Sequence, residues 1–366
     1  MKPTLRILLC LTLLPLLLGC TGHRRYAALL DEAEQANRVG RSLPSENQML
    51  EVARHYDRWW IPRKQRIRSR YLLGCVYRDL NNTPRALDNY QQAVALGNGS
   101  KNVEVLGYLM RTHSQMAGIF EKQRLLDKEE TELLLAKETS LLIQDTLSTL
   151  IFRELLCNLL YNKEQYKECI EGSRQLYESF LQSGFRDEGV LSLYLCIKSY
   201  MQLEEYGLAK RYLDLYESCS YFSDNPNKVK GGLGALYILK GRYYLGIEKN
   251  DSAEFYFRKG LLYGNLGNNE LLAYKGLYKT FAMSNVADSV LKYTLLYSDA
   301  KERSYNEGVA EATIQAKELY DYTIEQREAK KKEREASWLK MGILAVSMVS
   351  ILTALSLLYS YYVCKG

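Results

Sequence analysis

The sequence predicts an all-α chain: a right-handed α-solenoid of helix hairpins, then a long charged helix and one C-terminal transmembrane helix. Three observations lead there. The stretch Tyr71 to Ala93, YLLGCVYRDLNNTPRALDNYQQA, has the spacing of small and aromatic residues that two closely packed antiparallel helices require, and that spacing returns down the chain. Six prolines and almost no alternation of Val, Ile or Thr leave little from which to build a sheet. An uncharged run near the C-terminus is long enough to cross a bilayer.

Within Tyr71 to Ala93, Gly74 and Ala86 supply the small surfaces where two helix backbones meet, while Tyr77 and Tyr90 fill the gaps between neighbouring hairpins. Together with Leu73 and Ala93 these residues resemble the tetratricopeptide repeat, a helix hairpin of about 34 residues. The template recurs as Ala117, Phe120, Leu133 and Ala136, then as Leu156, Cys157, Leu160, Cys169 and Leu176. It returns as Tyr200, Ala209, Leu213 and Tyr216, as Gly241, Tyr244, Ala253, Phe257 and Gly260, and more loosely as Leu277, Ser289, Tyr293 and Leu296. Units start near residues 67, 110, 150, 190, 234 and 270, and most steps exceed the repeat length, which predicts extended helices or inter-repeat loops. Asp224 to Asn227 followed by Gly231-Gly232 reads as the clearest loop. Upstream, Tyr26 to Asn37 and Glu46 to Trp60 are amphipathic around a polar Gly40 to Ser45 link, the expected capping hairpin.

The organisation that follows is a signal peptide at 1–19, capping helices at 20–66, a repeat array at 67–300, a charged linker helix at 301–338, a transmembrane helix at 339–364 and a short tail at 365–366. With 47% hydrophobic and 25% charged residues the composition is that of a folding chain rather than a disordered one. A net charge of +6 spread along the chain gives no basic face for nucleic acid. His23, His55 and His113 are scattered and no CxxC pair exists, so no metal or cofactor is expected. Cys75, Cys157, Cys169, Cys196 and Cys219 fall mostly at helix-packing positions and read as buried thiols. No phosphate loop, GxSxG or positioned histidine suggests an enzyme, and the expectation is a non-enzymatic chain.

Two membrane signals frame the array. Lys2 and Arg6 precede an apolar run from Ile7 to Leu18, which closes on Leu17-Leu18-Gly19-Cys20. That core of about 12 residues is a secretory signal rather than a span, and its ending resembles a bacterial lipobox, which implies lipidation of Cys20. From Met341 to Cys364 there are 24 residues without a charge, between Lys340 and Lys365, with Trp338, Tyr359, Tyr361 and Tyr362 at the edges. As a helix the run rises roughly 36 Å, enough to cross the hydrocarbon core. The cations from Arg327 to Lys340 argue for a cytoplasmic array by the positive-inside rule, but Glu325, Glu328, Glu333 and Glu335 interleave them at helical spacing. A cleaved signal commits the array to export, so the predicted location is the cell membrane with the array facing the periplasm.

The order of lipobox, repeat array, charged helix and span resembles membrane-tethered tetratricopeptide sensor and regulator proteins of Gram-negative bacteria, with local similarity at Ala86 to Ala93, Asp288 to Ala300 and Glu318 to Tyr322. Against that resemblance, the expectation is a member without the usual cytoplasmic output region. The resemblance implies a membrane-anchored protein that binds a protein or peptide as part of a signalling or sensory assembly. The alternative is a structural adaptor or assembly factor for an envelope complex. Concave-face positions of the repeat give Arg68, Tyr71, Arg78, Asn158, Tyr161, Tyr194 and Lys198 as candidate peptide-binding residues, a mixed aromatic and cationic set suited to extended peptides. Glu154 stands where a chaperone-binding clamp would need lysine. Val309, Ala312, Ala316, Leu319 and Thr323 repeat at coiled-coil spacing, but small residues over about two heptads support no more than a weak homodimer.

Overall fold

The computed structural model describes residues 23–219, 230–263 and 268–306, with isolated positions beyond. Among the described residues, fourteen helices form seven antiparallel hairpins: α1 (23–39) with α2 (Glu46–Tyr56), α3 (Arg63–Asp79) with α4 (Thr83–Gly97), α5 (Val103–Lys122) with α6 (Leu126–Leu142), and α7 (Thr146–Asn162) with α8 (Tyr166–Gln182). The series continues with α9 (Arg186–Gln202) and α10 (Tyr206–Glu217), α11 (Lys230–Gly246) and α12 (Asn250–Tyr263), and α13 (Asn268–Met283) and α14 (287–306). No strand occurs among the described residues. Each helix packs on its neighbours in sequence, and first helices of successive hairpins also touch, α3 on α5, α7 on α9, α9 on α11 and α11 on α13. That arrangement is a tetratricopeptide-like α-solenoid, with the odd-numbered helices forming one continuous row.

The repeat spacing beyond the motif length comes from long helices. α3, α7, α9 and α11 each run 17 residues and α5 runs 20, so each begins ahead of the motif residues it carries. Eight of the turns among the described residues are tight and of one kind. At the end of α3 the Asn81 N–H donates to the Arg78 carbonyl and the Asn82 N–H to the Tyr77 carbonyl, with Asn81 in the left-handed region at φ 56. This paired closure satisfies two orphan carbonyls of the helix end. The same geometry recurs at Arg124, Gln144, Glu164, Glu204, Glu248 and Asn285, and at Gly184. Pro and Gly mark chain breaks in the sequence, whereas these polar residues at positive φ carry no such mark.

Several helices begin with side-chain caps. Ser45 and Gln48 form a reciprocal capping box at the start of α2, and Asn82, Asn102 and Asp145 cap α4, α5 and α7. Gly231 and Gly232 lie in α11 rather than in the expected loop; near a helix start the amide hydrogens have no intrahelical partner, so glycine weakens the helix little there. Asp224 to Asn227 fall outside the described residues.

Small residues sit where the hairpin template places them. Ala86, Ala93, Ala136, Ala209 and Ala253 are fully buried. A Cβ added to Gly74 would lie 2.5 Å from the Tyr90 ring, and one on Gly241 would lie 2.6 Å from the Phe257 ring. In both hairpins an aromatic of the second helix occupies the volume that a side chain on the first would need. Cys75, Cys157, Cys169, Cys196 and Cys219 are all buried and form no disulfide. Burial raises the thiols of Cys157 to about 11 and Cys196 to about 12, so they remain protonated packing groups at neutral pH.

Among the described residues no helix is long and apolar enough to cross a membrane. Cys20, most of the 301–338 linker and most of the 339–364 span lie outside the described residues.

Candidate functional site

The row of odd-numbered helices presents side chains at i, i+4 and i+7 or i+8 spacing on one face, and two different environments result. On α9, Leu193, Cys196, Ile197 and Tyr200 face the hydrophobic core, which leaves Tyr194, Lys198 and Gln202 as a stripe on the other side. α7 adds Tyr161, α11 adds Ile238, Arg242 and Leu245, and α13 adds Leu272, Lys275, Gly276 and Lys279. These residues line a cavity of about 380 Å³. An adjoining cavity of about 500 Å³ shares Gln202, Arg242, Leu245 and Lys279 and runs on to Tyr206, Tyr278 and Met283.

The cavity is lined by four cations and no carboxylate. Lys198 Nζ lies 4.0 Å from the Tyr161 ring centre and 5.1 Å from that of Tyr194. Gln202 Nε2 donates to Tyr161 Oη at 3.1 Å and fixes that ring from the side. Lys198, Arg242, Lys275 and Lys279 form no ion pair with a carboxylate among the described residues, in contrast to the many paired cations elsewhere on the chain. Burial, reinforced by the like charge of Arg242, pulls the Lys198 ammonium down to about 8. Two aromatic faces offset part of that penalty through cation–π attraction, but only an anion would neutralise the site.

Toward the N-terminus the same face is already filled. Arg68, from the predicted groove set, contacts Asp31 at 2.7 Å and places Nε 2.6 Å from Glu34, a charge contact without hydrogen-bond alignment. Glu34 also takes Arg38 at 2.9 Å, Arg111 at 3.4 Å and the Tyr108 hydroxyl at 3.0 Å. Burial pushes the Glu34 carboxyl up, but Arg38, Arg68, Tyr108 and Arg111 outweigh it and hold the group below its ordinary value. Tyr71 is buried, accepts from Asn37 at 3.2 Å, and its hydroxyl is pushed up by burial. Arg78 pairs with Asp79 at 2.7 Å and bonds Asn37 and Gln115. α1 thus closes over this end and ties it to α3 and α5.

The seven predicted residues therefore divide. Tyr161, Tyr194 and Lys198 meet in one cavity, whereas Arg68, Tyr71 and Arg78 are drawn into the contacts with α1. Asn158 lies on α7 and donates to Glu121 at 3.4 Å. The neighbouring Glu154 carboxyl is raised by burial. Arg242, Gln202, Lys275 and Lys279 were not in the predicted set. Arg242 occupies in its own unit the position that Lys198 holds one unit earlier, so extending the concave-face template would have found it. Lys275 and Lys279 lie one residue beyond the Tyr274 and Tyr278 positions that the template indicates. Among the described residues no cluster of three or more His, Cys, Asp or Glu is placed to hold a metal ion.

No protein-family model and no curated protein matches the chain. Its structure is similar to a solved tetratricopeptide repeat protein. That crystal structure, from Parabacteroides merdae ATCC 43184, is 15% identical and covers 70% of this chain and 99% of the other, with a TM-score of 0.38. At that score the likeness adds nothing to the hairpin geometry, which by itself carries the tetratricopeptide-like fold.

Proposed function

We propose that this chain is a non-enzymatic, membrane-anchored tetratricopeptide-type scaffold that binds an acidic, extended segment of a partner protein in the periplasm, as part of a signalling or sensory assembly. The observation that carries the reading is the groove on α7, α9, α11 and α13, whose four cations have no internal carboxylate. Carboxylates of a peptide would supply the missing charge through hydrogen bonds to Arg242 and the lysines, and Tyr161 and Tyr194 would pack its backbone and apolar side chains. The lipobox ending at Cys20, the Met341 to Cys364 run and the resemblance to tethered sensor proteins support the anchoring, location and sensory role.

A dye-labelled hexaglutamate peptide and its hexalysine counterpart test the binding chemistry directly. The acidic peptide should bind and the basic one should not, and Lys198→Met with Arg242→Gln should weaken the acidic peptide by at least about tenfold. Equal binding of both peptides, or an unchanged double variant, would remove the groove from the proposal. A photo-crosslinker at Gln202 in cells, followed by mass spectrometry, identifies the natural partner. Reporters fused after residue 300 and after Gly366 test the topology and should report opposite compartments.

A further inference from the structure

The turn from α2 to α3, residues 57–62, places two tryptophans in solvent. Trp59 is 84% exposed and Trp60 59%. Their rings meet edge to face with centroids 5.8 Å apart, and the Arg58 guanidinium stands 5.5 Å from the Trp60 ring centre. Core demands do not explain them, because the adjoining Tyr56 and Ile67 are buried without their help.

The unpaired charge around the turn is positive among the described residues. The nearby carboxylates are each engaged, Asp57 by Arg70 at 2.8 Å, Glu51 by Arg25 at 3.8 Å and Glu104 by Lys64 at 2.5 Å. Exposed Arg24, Arg54, Arg58 and Arg63 form no ion pair among the described residues. Arg63 also donates to the Asn98 carbonyl at 2.6 Å, which holds the α4–α5 turn, with exposed Lys101, to the same end of the solenoid. Indole rings with an apolar body and one N–H donor favour the boundary between acyl chains and headgroups, and arginines beside them favour an anionic boundary.

The start of the described chain lies at this turn. His23 Nδ1 is 3.0 Å from His55 Nε2, and the His23 ring is 6.0 Å from that of Tyr56, the last residue of α2 before the turn. Two residues, Thr21 and Gly22, separate His23 from Cys20, a covalent reach over three steps of at most about 11 Å. A lipid on Cys20 would hold this corner at the bilayer surface.

We propose that Trp59 and Trp60 insert into the headgroup boundary of an anionic phospholipid bilayer, with Arg54, Arg58 and Arg63 against the lipid phosphates. The turn is thus a second membrane contact of the repeat array, and it orients the solenoid on the surface. The proposal stands on the turn itself and goes beyond the anchoring reading, to which the Cys20 tether adds proximity.

The test uses the full chain carrying Trp338→Phe, in which Trp59 and Trp60 are the remaining two of three tryptophans. The protein is reconstituted in nanodiscs of phosphatidylglycerol and phosphatidylcholine, with and without lipids brominated near the headgroup. Brominated lipid should quench the emission about twofold or more, and Arg54→Glu with Arg58→Glu, at unchanged thermal unfolding, should relieve the quenching. Water-like emission that brominated lipid leaves untouched overturns the proposal. Blue-shifted emission without quenching overturns it too, since a second copy or a protein partner then covers the turn. Mass spectrometry of the N-terminal peptide from the same sample keeps the two readings apart: lipidated Cys20 with unquenched tryptophans defeats this inference alone, whereas unmodified Cys20 with quenched tryptophans defeats the tether and upholds the membrane contact.

Discussion

Lys198 holds its ammonium 4.0 Å from the centre of the Tyr161 ring, on an adjacent hairpin, with Arg242 adding like charge to the same cavity. A lysine so placed is held near its titration point by burial and by that arginine, at about 8. In the free protein it is charged below that pH and neutral above it. The acidic peptide should therefore bind most tightly below pH 8, lose affinity as pH rises through 8, and draw a proton onto the complex near pH 8. Calorimetry in two buffers of different ionisation heat measures that uptake, and a flat pH profile between 7 and 9 would count against Lys198 as a ligand contact.

The same residue makes a prediction about stability. Between about 8 and the ordinary lysine value of 10.5, the unfolded chain keeps a proton that folded Lys198 has released, so stability contributed by this group rises with pH across that window. Below 8 both states are protonated and the buried charge counts fully against the fold. Lys198→Met should raise the unfolding midpoint at pH 7 while weakening peptide binding severalfold, a trade of stability against function read by thermal melts and the peptide assay.

Glu34 joins α1 to α3 and α5 through Arg38, Arg68, Arg111 and Tyr108. Removing it leaves Arg68, with 13% of its side chain exposed, without its central carboxylate, so Glu34→Ala should cost about 3 kcal/mol in chemical denaturation. Its lowered carboxyl contributes stability above the ordinary carboxylate value, and that contribution disappears as pH falls through the folded value. The variant's melts should accordingly lose their acid-side dependence relative to the parent chain.

Gly74 and Tyr90 share one volume. The Tyr90 ring is fully buried, so Gly74→Ala cannot be relieved by a side chain swinging into water, and overpacking of this kind costs about 2 kcal/mol. Gly118 has open space at its Cβ, and Gly118→Ala should leave stability level or raise it by a few tenths of a kcal/mol. Equal melts for the two variants would mean that the hairpin interface relaxes more than its burial implies.

At the hairpin turns the backbone rather than the side chain decides. Gly184 has φ 83 and open space around its Cβ, so Gly184→Ala should lower stability by about 1 kcal/mol through conformation alone. Glu204, at φ 60 in the equivalent turn, should behave oppositely, with Glu204→Gly stabilising by up to about 1 kcal/mol. Denaturant midpoints of the two variants should move in opposite directions.

The sequence by itself determined the hairpins. Ala86, Tyr90, Ala93, Ala209, Leu213, Ala253 and Phe257 recur because two helices can approach closely only with small residues at the crossing and an aromatic beside it, and that steric demand is local enough to be written into spacing. α1 and α2 followed from the same periodicity, whereas the turn residues Asn81, Glu164, Glu204 and Glu248 gave no signal because the cost of about 1–2 kcal/mol for a non-glycine left-handed residue is offset by the paired backbone bonds that close the turn, whatever the side chain. The concave-face residues were legible as positions but not as environments. Tyr71 and Tyr194 are equivalent in the repeat, yet α1 folds over Tyr71 and brings Asn37 to its hydroxyl, while Tyr194 is left beside Lys198 and the cavity. Only the tertiary structure decided that difference, because the charge and volume at each inner position depend on the helix one hairpin away: Glu34 of α1 neutralises Arg68 and Arg111, and no carboxylate from α7, α11 or α13 reaches Lys198 and Arg242.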